Sequence, residues 1–169
     1  MQNNFSPSDI TRLVIKPITK IQALELIFDN HYSKIMPRLT KHYIGGFVDD
    51  VLVGVITLGW GVRPIHTIKI LFPSLNRTDY FEIGKMCMDE KMPKNSESVF
   101  LSRTIRWLKA NTNCKVLFTW ADGILGKPGY VYQAANFSYG GLFGPICILL
   151  TPAKKFILVQ HNLYQRMPK

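Results

Sequence analysis

The 169-residue chain has few cysteines, few acidic residues and no long apolar run. Its three cysteines include no CxxC pair, which argues against a zinc cage, and their odd, sparse count indicates reduced thiols in a cytoplasm. No apolar run approaches the length of a membrane span, and residues 1–10 lack the basic and apolar segments of a signal peptide. Repeats and low-complexity tracts are also missing. These absences favour a single cytoplasmic domain over residues 1–169, without a membrane partner.

Acidic residues are outnumbered by basic ones. Eleven Asp and Glu stand against 21 Lys and Arg, which gives a formal net charge of +10. Such a charge on one small domain predicts a polyanionic partner, with nucleic acid as the first candidate and a phosphate-rich small ligand as the alternative. Because 47% of the residues are hydrophobic, the chain can also build a substantial core.

Hydrophobic periodicity predicts strands that alternate with helices. Thr19 and Gln22 form a capping box that begins a helix over 19–30. Period-two alternation predicts a long strand over 79–90, and Asn95 or Ser96 caps a helix that runs to about residue 110. The other predicted elements are strands near 12–16, 42–48, 51–58, 115–120, 136–141, 145–151 and 155–160 and a short helix at 129–135, with an irregular excursion at 59–78.

This order indicates an α/β (α+β) fold with a mixed central sheet flanked by helices, and it resembles the order of the GNAT acyltransferases. In that fold the long strand and the start of the next helix hold acyl-CoA, because free backbone N–H groups and the helix dipole favour phosphate. Residues 91–96 lack the Gly-rich turn typical of such sites, and Lys91 and Lys94 are candidates to supply charge instead. Ser96 and Ser98 are explained as cap and first-turn residues.

Three side chains at the ends of predicted elements are candidates for chemistry. His31 ends the first helix, where it either satisfies helix carbonyls or acts as a base or metal ligand. Asp122 follows a buried strand, where a carboxylate either caps a turn or faces a ligand crevice. Tyr132 either packs as an aromatic or protonates a leaving group, and Tyr130 competes for the second role.

Two segments place cations beside aromatic residues, a pattern that suits phosphate contact and base stacking. The first spans residues 33–43, and the second spans 60–69. A solvated loop is the alternative interpretation of both. The residues predicted to bind DNA are Lys34, Arg38, Lys41 and Arg63.

A set of short motifs occurs in order between residues 30 and 140. They include His31-Tyr32-Ser33, the Pro-Lys-Asn-Ser-x-Ser segment at 93–98, Ala121-Asp122, and residues 132–137. Together they resemble the motifs of the phage Mom family, DNA-modifying proteins within the GNAT superfamily. The resemblance implies conversion of adenine in DNA to a carbamoylmethyl adenine, which protects phage DNA from host restriction. It also implies double-stranded DNA as partner, the host cytoplasm as location, and a base that leaves the stack.

The resemblance further implies a set of site residues. Lys85 stands where the family pattern tends to have an arginine, so bidentate contact with a carboxylate or phosphate is lost. Iron is implied at His31 and Asp122, and acetyl-CoA or a related acyl-CoA is the implied group donor. The implied catalytic residues are His31, Tyr32, Asp122 and Tyr132, and the implied cofactor-binding residues are Lys85, Lys94, Asn95, Ser96 and Ser98.

Two other functions are compatible with the sequence. An acyl-CoA-dependent N-acetyltransferase acting on a small amine or a protein would share the fold, although the missing Gly-rich loop argues against it. A nucleic-acid-binding protein without catalysis would explain the charge but not the set of His31, Asp122 and Tyr132. The sequence leaves the oligomeric state open, with a homodimer as one arrangement.

Overall fold

The computed structural model describes residues 5–61, 64–66, 68–121, 129–139, 146–150 and 156–159. Contacts group the chain into two compact units, the first formed by Met1–Trp60 and Ile83–Thr112 and the second by Gly61–Glu82 and Asn113–Lys169. The extent of one domain over 1–169 stays a prediction. Within the described residues, none of the helices is both long and apolar enough to cross a membrane.

The first unit is built on antiparallel strands with two helices. Strand β1 pairs with β2, and β2 pairs with β3 across the turn at Asp49 and Asp50, which both have positive φ. Strand β4 follows β3 in the strand order, and its residues from Ile83 onward belong to this unit. The elements are β1 (Val14–Pro17), α1 (Lys20–Asn30), β2 (Thr40–Val48), β3 (Val51–Gly59), β4 (Tyr80–Met88) and α3 (Ser96–Asn111).

The Phe100 ring of helix α3 packs against two glycines of the sheet. Gly46 of β2 and Gly54 of β3 are cross-strand partners, and Phe100 is fully buried. A Cβ added at Gly46 would lie 2.8 Å from the Phe100 ring, and one at Gly54 would lie 3.0 Å from it. The two glycines therefore provide the space that the ring fills. Arg103 of α3 donates to the carbonyls of Leu13 and Thr11.

The second unit carries the remaining strands. Strand β7 is antiparallel to β5, β6 and β8, whereas β6 and β8 pair in parallel, so the sheet is mixed as predicted. Asp79 links the segment before β4 to the segment before β5. Its carboxylate accepts a hydrogen bond from the Asn76 N–H and forms an ion pair with Lys115 Nζ at 3.0 Å. The elements are α2 (Ile68–Leu71), β5 (Val116–Ala121), α4 (Tyr130–Ala134), β6 (Ser138–Tyr139), β7 (Ile146–Leu150) and β8 (Phe156–Val159).

Candidate active site

His31 lies directly after helix α1, and its ring is held by its own neighbours. The capping box of Thr19 and Gln22 begins that helix as predicted, and the backbone N–H of His31 closes it onto the Ile27 carbonyl at 3.0 Å. The ring folds back, so that Nδ1 lies 2.9 Å from the backbone nitrogen of Ser33 and 3.0 Å from its carbonyl oxygen. Tyr32 stacks on the same ring with centroids 4.4 Å apart. His31 and Tyr32 therefore form a stacked aromatic pair, in which Tyr32 is 59% exposed.

Lys85 of strand β4 reaches the same place. Its side chain is buried, with 7% of the residue exposed, and Nζ donates to the Ser33 carbonyl at 2.8 Å and lies 3.4 Å from His31 Nδ1. Burial lowers the pKa of the Lys85 amine, and the nearby Cys87 opposes that shift. The structure thus brings together three residues that the sequence singled out: His31, Tyr32 and Lys85.

Cys87 points to the same face of β4 as Lys85, as the alternation predicts, but it belongs to the core. Ala23, Ile27 and Val55 form a buried cluster with it. Burial raises the pKa of the Cys87 thiol to about 11, although the nearby lysines, Lys85 first, oppose the shift. A thiol with such a pKa is a packing group rather than a nucleophile.

The start of helix α3 contains the residues predicted to hold a cofactor. Asn95 adopts the left-handed conformation (φ 71°) and its side chain does not cap the helix. The serine hydroxyls turn back to backbone carbonyls, Ser96 Oγ to Pro93 at 2.5 Å and Ser98 Oγ to Asn95 at 2.9 Å. The Ser96 N–H already donates to the Pro93 carbonyl at 3.2 Å, so an anion at this end would have to use the N–H groups of Glu97 and Ser98, which the Asn95 side chain does not cap. The exposed Lys94 adds positive charge at this end.

In the second unit, Tyr132 and Tyr130 differ sharply in environment. Tyr132 is half-buried on α4 and its ring lies 5.5 Å from that of Phe137, whereas Tyr130 is 73% exposed. Sequence reasoning gave no role to Glu82, whose carboxylate accepts from the Trp120 indole N–H at 3.0 Å. The alternation of β4 marked Glu82 as facing away from Lys85, but its partner could not be read from the sequence.

Among the residues predicted to bind DNA, Arg38 and Lys41 are exposed. Lys41 Nζ lies over the Trp60 ring, 5.4 Å from its centroid, so a cation of the first segment lies against an aromatic ring of the second. Lys34 is exposed as well, and its ammonium donates to the Phe28 carbonyl at the end of α1. Arg63 lies outside the described residues.

The described residues do not fit an iron site. No group of three or more His, Cys, Asp or Glu side chains that could hold a metal occurs among them. His31 Nδ1 faces the amine of Lys85 and the N–H of Ser33. Both groups are hydrogen-bond donors, so they would repel an iron cation at this nitrogen. Asp122, the predicted carboxylate ligand, lies outside the described residues.

Solved structures share the fold of this chain. The aminoglycoside acetyltransferase AAC(6')-Ib, solved with parmomycin and acetylCoA, matches with a TM-score of 0.64 and 8% identity over 84% of this chain and 94% of that one. The Campylobacter jejuni N-acetyltransferase PseH, solved with acetyl coenzyme A, gives a TM-score of 0.55 and 16% identity over 83% and 99% of the two chains. The chain therefore has the GNAT acetyltransferase fold, as predicted.

The family within this class follows from the sequence. The model of the Mom protein family matches residues 12–156, and the chain belongs to that family. The methylcarbamoylase mom of Escherichia phage Mu is 29% identical to it over 130 residues, which are 76% of this chain and 54% of the relative. The chain spans about half the length of that relative. The resemblance drawn from the motifs is thus confirmed.

Proposed function

We propose that this protein is a transferase that converts adenine bases in DNA to an N6-(carbamoylmethyl)-type adenine and so protects phage DNA from host restriction. Membership of the Mom family over residues 12–156, with a relative named methylcarbamoylase, carries the proposal. The net charge of +10 supports a DNA substrate, and the fold supports group transfer to an amine. The reaction would take place in the cytoplasm of the host.

Transfer of a group to the exocyclic nitrogen of adenine involves three changes. The exocyclic nitrogen of adenine forms a bond to carbon of the donor, the donor loses its leaving group, and the nitrogen loses a proton. Tyr132 is the proposed acid for the leaving group, because a phenol can donate a proton to a departing thiolate and this one is half-buried on α4. The buried amine of Lys85 and the His31 ring form the polar centre of the first unit, where hydrogen-bond donors stabilise developing negative charge.

Acyl transfer from acetyl-CoA alone would join the adenine nitrogen to the carbonyl carbon and give an N-acetyl adenine, so a carbamoylmethyl product also requires a source of the amide nitrogen and a bond from the adenine nitrogen to the CH₂ carbon. We assign the acyl-CoA that is proposed as the carbon donor to the start of α3. The uncapped first turn would hold its pyrophosphate, with Lys94 as a point charge and Asn95, Ser96 and Ser98 shaping the turn. Glu97 in the same turn opposes phosphate binding and makes this site weaker than a Gly-rich one. We propose no role for iron, since the described residues contain no metal-binding group and the predicted ligand Asp122 lies outside them.

Arg38, Lys41 and Trp60 are proposed to contact the DNA. The cations would bind phosphates, and the Trp60 ring offers a surface on which a base can stack. Modification of an exocyclic amine on the pairing edge requires the adenine to leave the duplex stack. Lys34 and Arg63 remain predicted members of this surface.

A second function is favoured by the solved structures. AAC(6')-Ib and PseH are named acetyltransferases, and their fold is that of this chain. An acyl-CoA-dependent N-acetyltransferase acting on a small amine would need a functional acyl-CoA site but no DNA. Acetylation of aminoglycosides by the purified protein, together with unmodified DNA in expressing cells, would establish this alternative.

Restriction digestion tests the proposed function. Plasmid from cells that express the protein should resist several endonucleases whose sites contain adenine, but should be cut normally by enzymes whose sites contain only G and C. Tyr132→Phe should abolish the resistance, whereas Tyr130→Phe, a matched change at an exposed phenol, should keep it. Full cleavage by every enzyme, with soluble protein present, would contradict the proposal.

A further inference from the structure

Ile35 is the most exposed large hydrophobic residue in the described part of the chain, with 81% of its surface accessible. It lies in the irregular segment that joins α1 to β2. Tyr32 and Leu39 of the same segment are 59% and 50% exposed. A single apolar residue on a surface is ordinary, but three within one short segment indicate a contact surface.

The backbone on both sides of Ile35 is anchored to the first unit. Before it, the Ser33 carbonyl accepts a hydrogen bond from Lys85 Nζ at 2.8 Å. After it, Pro37 packs directly on Gly84 of β4, where an added Cβ would lie 2.6 Å from the proline ring. Ile35 is therefore held outward by its neighbours rather than left at the tip of an unanchored loop.

Exposed cations flank this isoleucine. Lys34 directly precedes it, and Arg38 follows three positions later. Because three residues span at most about 11 Å, both cations can contact phosphates while Ile35 enters a DNA groove about 6 to about 12 Å wide. The cations favour a polyanionic partner, and the apolar side chain favours an apolar interior, which in duplex DNA is the base stack.

We infer that Ile35 is a wedge that inserts into the base stack and keeps the target adenine out of it. The inference rests on the proposed function in taking duplex DNA as the substrate. Isoleucine is one of the apolar side chains that unstack base steps, and a wedge fills the space that an extruded base leaves. An anionic membrane also combines charge with an apolar interior, but a broad apolar face enters it rather than one branched side chain.

Fluorescence of 2-aminopurine tests the wedge, because this adenine analogue is quenched by stacking. The full chain is titrated into a duplex that carries 2-aminopurine between randomised flanking positions, and anisotropy of a terminal dye reports saturation. At saturation the unsubstituted protein should raise the fluorescence severalfold, and Ile35→Ala should lose most of this rise. The matched control Ile21→Ala, at a position of α1 that is 70% exposed, should keep it. Equal fluorescence for Ile35→Ala and the unsubstituted protein would overturn the inference.

Affinity provides a second readout. If the three carbons removed in Ile35→Ala are half buried between bases, the affinity for a paired duplex should fall about tenfold. The loss should be smaller when the 2-aminopurine lies opposite an abasic site, where no base pair has to be opened. Ile35→Phe, which keeps an apolar wedge, should retain the affinity, and the salt slope should not change because no charge is removed. An equal loss on both duplexes would overturn the role of a wedge.

Other occupants of this surface give different results. The inference would be overturned if Ile35→Ala kept the 2-aminopurine signal but converted a dimer to a monomer in sedimentation, or released the protein from phosphatidylserine vesicles. Failure of the proposed function is distinguishable. A fluorescence rise that depends on Ile35, without DNA modification in cells, would support the inference alone, whereas modification that persists in Ile35→Ala would refute only the inference. A chain that binds no duplex would contradict both.

Discussion

Removing the two exposed cations beside Trp60 should weaken DNA binding and flatten its dependence on salt. Arg38 and Lys41 are both exposed, and Lys41 lies over the Trp60 ring. If each contacts one phosphate, the slope of log affinity against log salt should fall in magnitude by about 0.9 per residue, or about 1.8 for the double variant Arg38→Ala/Lys41→Ala. Between about 50 and about 200 mM salt, the unsubstituted protein should then lose roughly tenfold more affinity than the variant.

The measurement is a titration of a labelled DNA duplex at several salt concentrations. The control is Arg106→Ala/Lys109→Ala, which removes one arginine and one lysine from exposed positions of helix α3. Both double variants lower the net charge equally, so a general charge effect would change both slopes alike. Equal slopes for the two variants, or an unchanged slope for Arg38→Ala/Lys41→Ala, would remove this surface from the DNA interface.

Three further predictions concern stability and thiols. Phe100→Ala should lower the free energy of unfolding by about 3–5 kcal/mol in denaturant titrations, because it leaves a cavity where the ring packs on Gly46 and Gly54. A loss below about 1 kcal/mol would contradict this packing of the Phe100 ring. The hydrogen bond from the Asn76 N–H is the main cause that lowers the pKa of Asp79 in the folded protein. The ionised Asp79 carboxylate therefore stabilises the fold above the ordinary Asp pKa, and this contribution is lost as the pH falls through the pKa of Asp79 in the folded protein. Asp79→Asn should therefore flatten the acid decline in stability, and an unchanged decline would refute this. Burial raises the pKa of Cys87 to about 11 and of Cys114 to about 12, so native protein at about pH 8 should resist iodoacetamide at both, as peptide masses would show.

Local patterns predicted most of the elements, because the forces that set them act over a few residues. The capping box of Thr19 and Gln22 and the alternation along β4 both depend on near neighbours, and both are confirmed. The apolar spacing along α1 predicts an amphipathic helix but does not fix which side is buried. Ala23 and Ile27 are fully buried, whereas Ile21 and Phe28 are 70% and 51% exposed. Apolar residues occur on two sides of this helix, and only the sheet decides which side is covered.

The site itself could be predicted only as a set of separate residues. Lys85 and His31 are 54 positions apart, and no periodicity links them. Their contact requires β4 to run beside the end of α1, which is a property of tertiary packing. The roles of Asp122 and Tyr132 rest on the family motifs and remain predictions.

Mass spectrometry of nucleosides tests the central claim most directly. DNA from cells that express the protein would be digested to nucleosides and compared with DNA from cells that express Asp122→Ala. The account predicts a deoxyadenosine product heavier by a carbamoylmethyl group that disappears in the variant. DNA with unmodified adenine, in the presence of soluble protein, would contradict it.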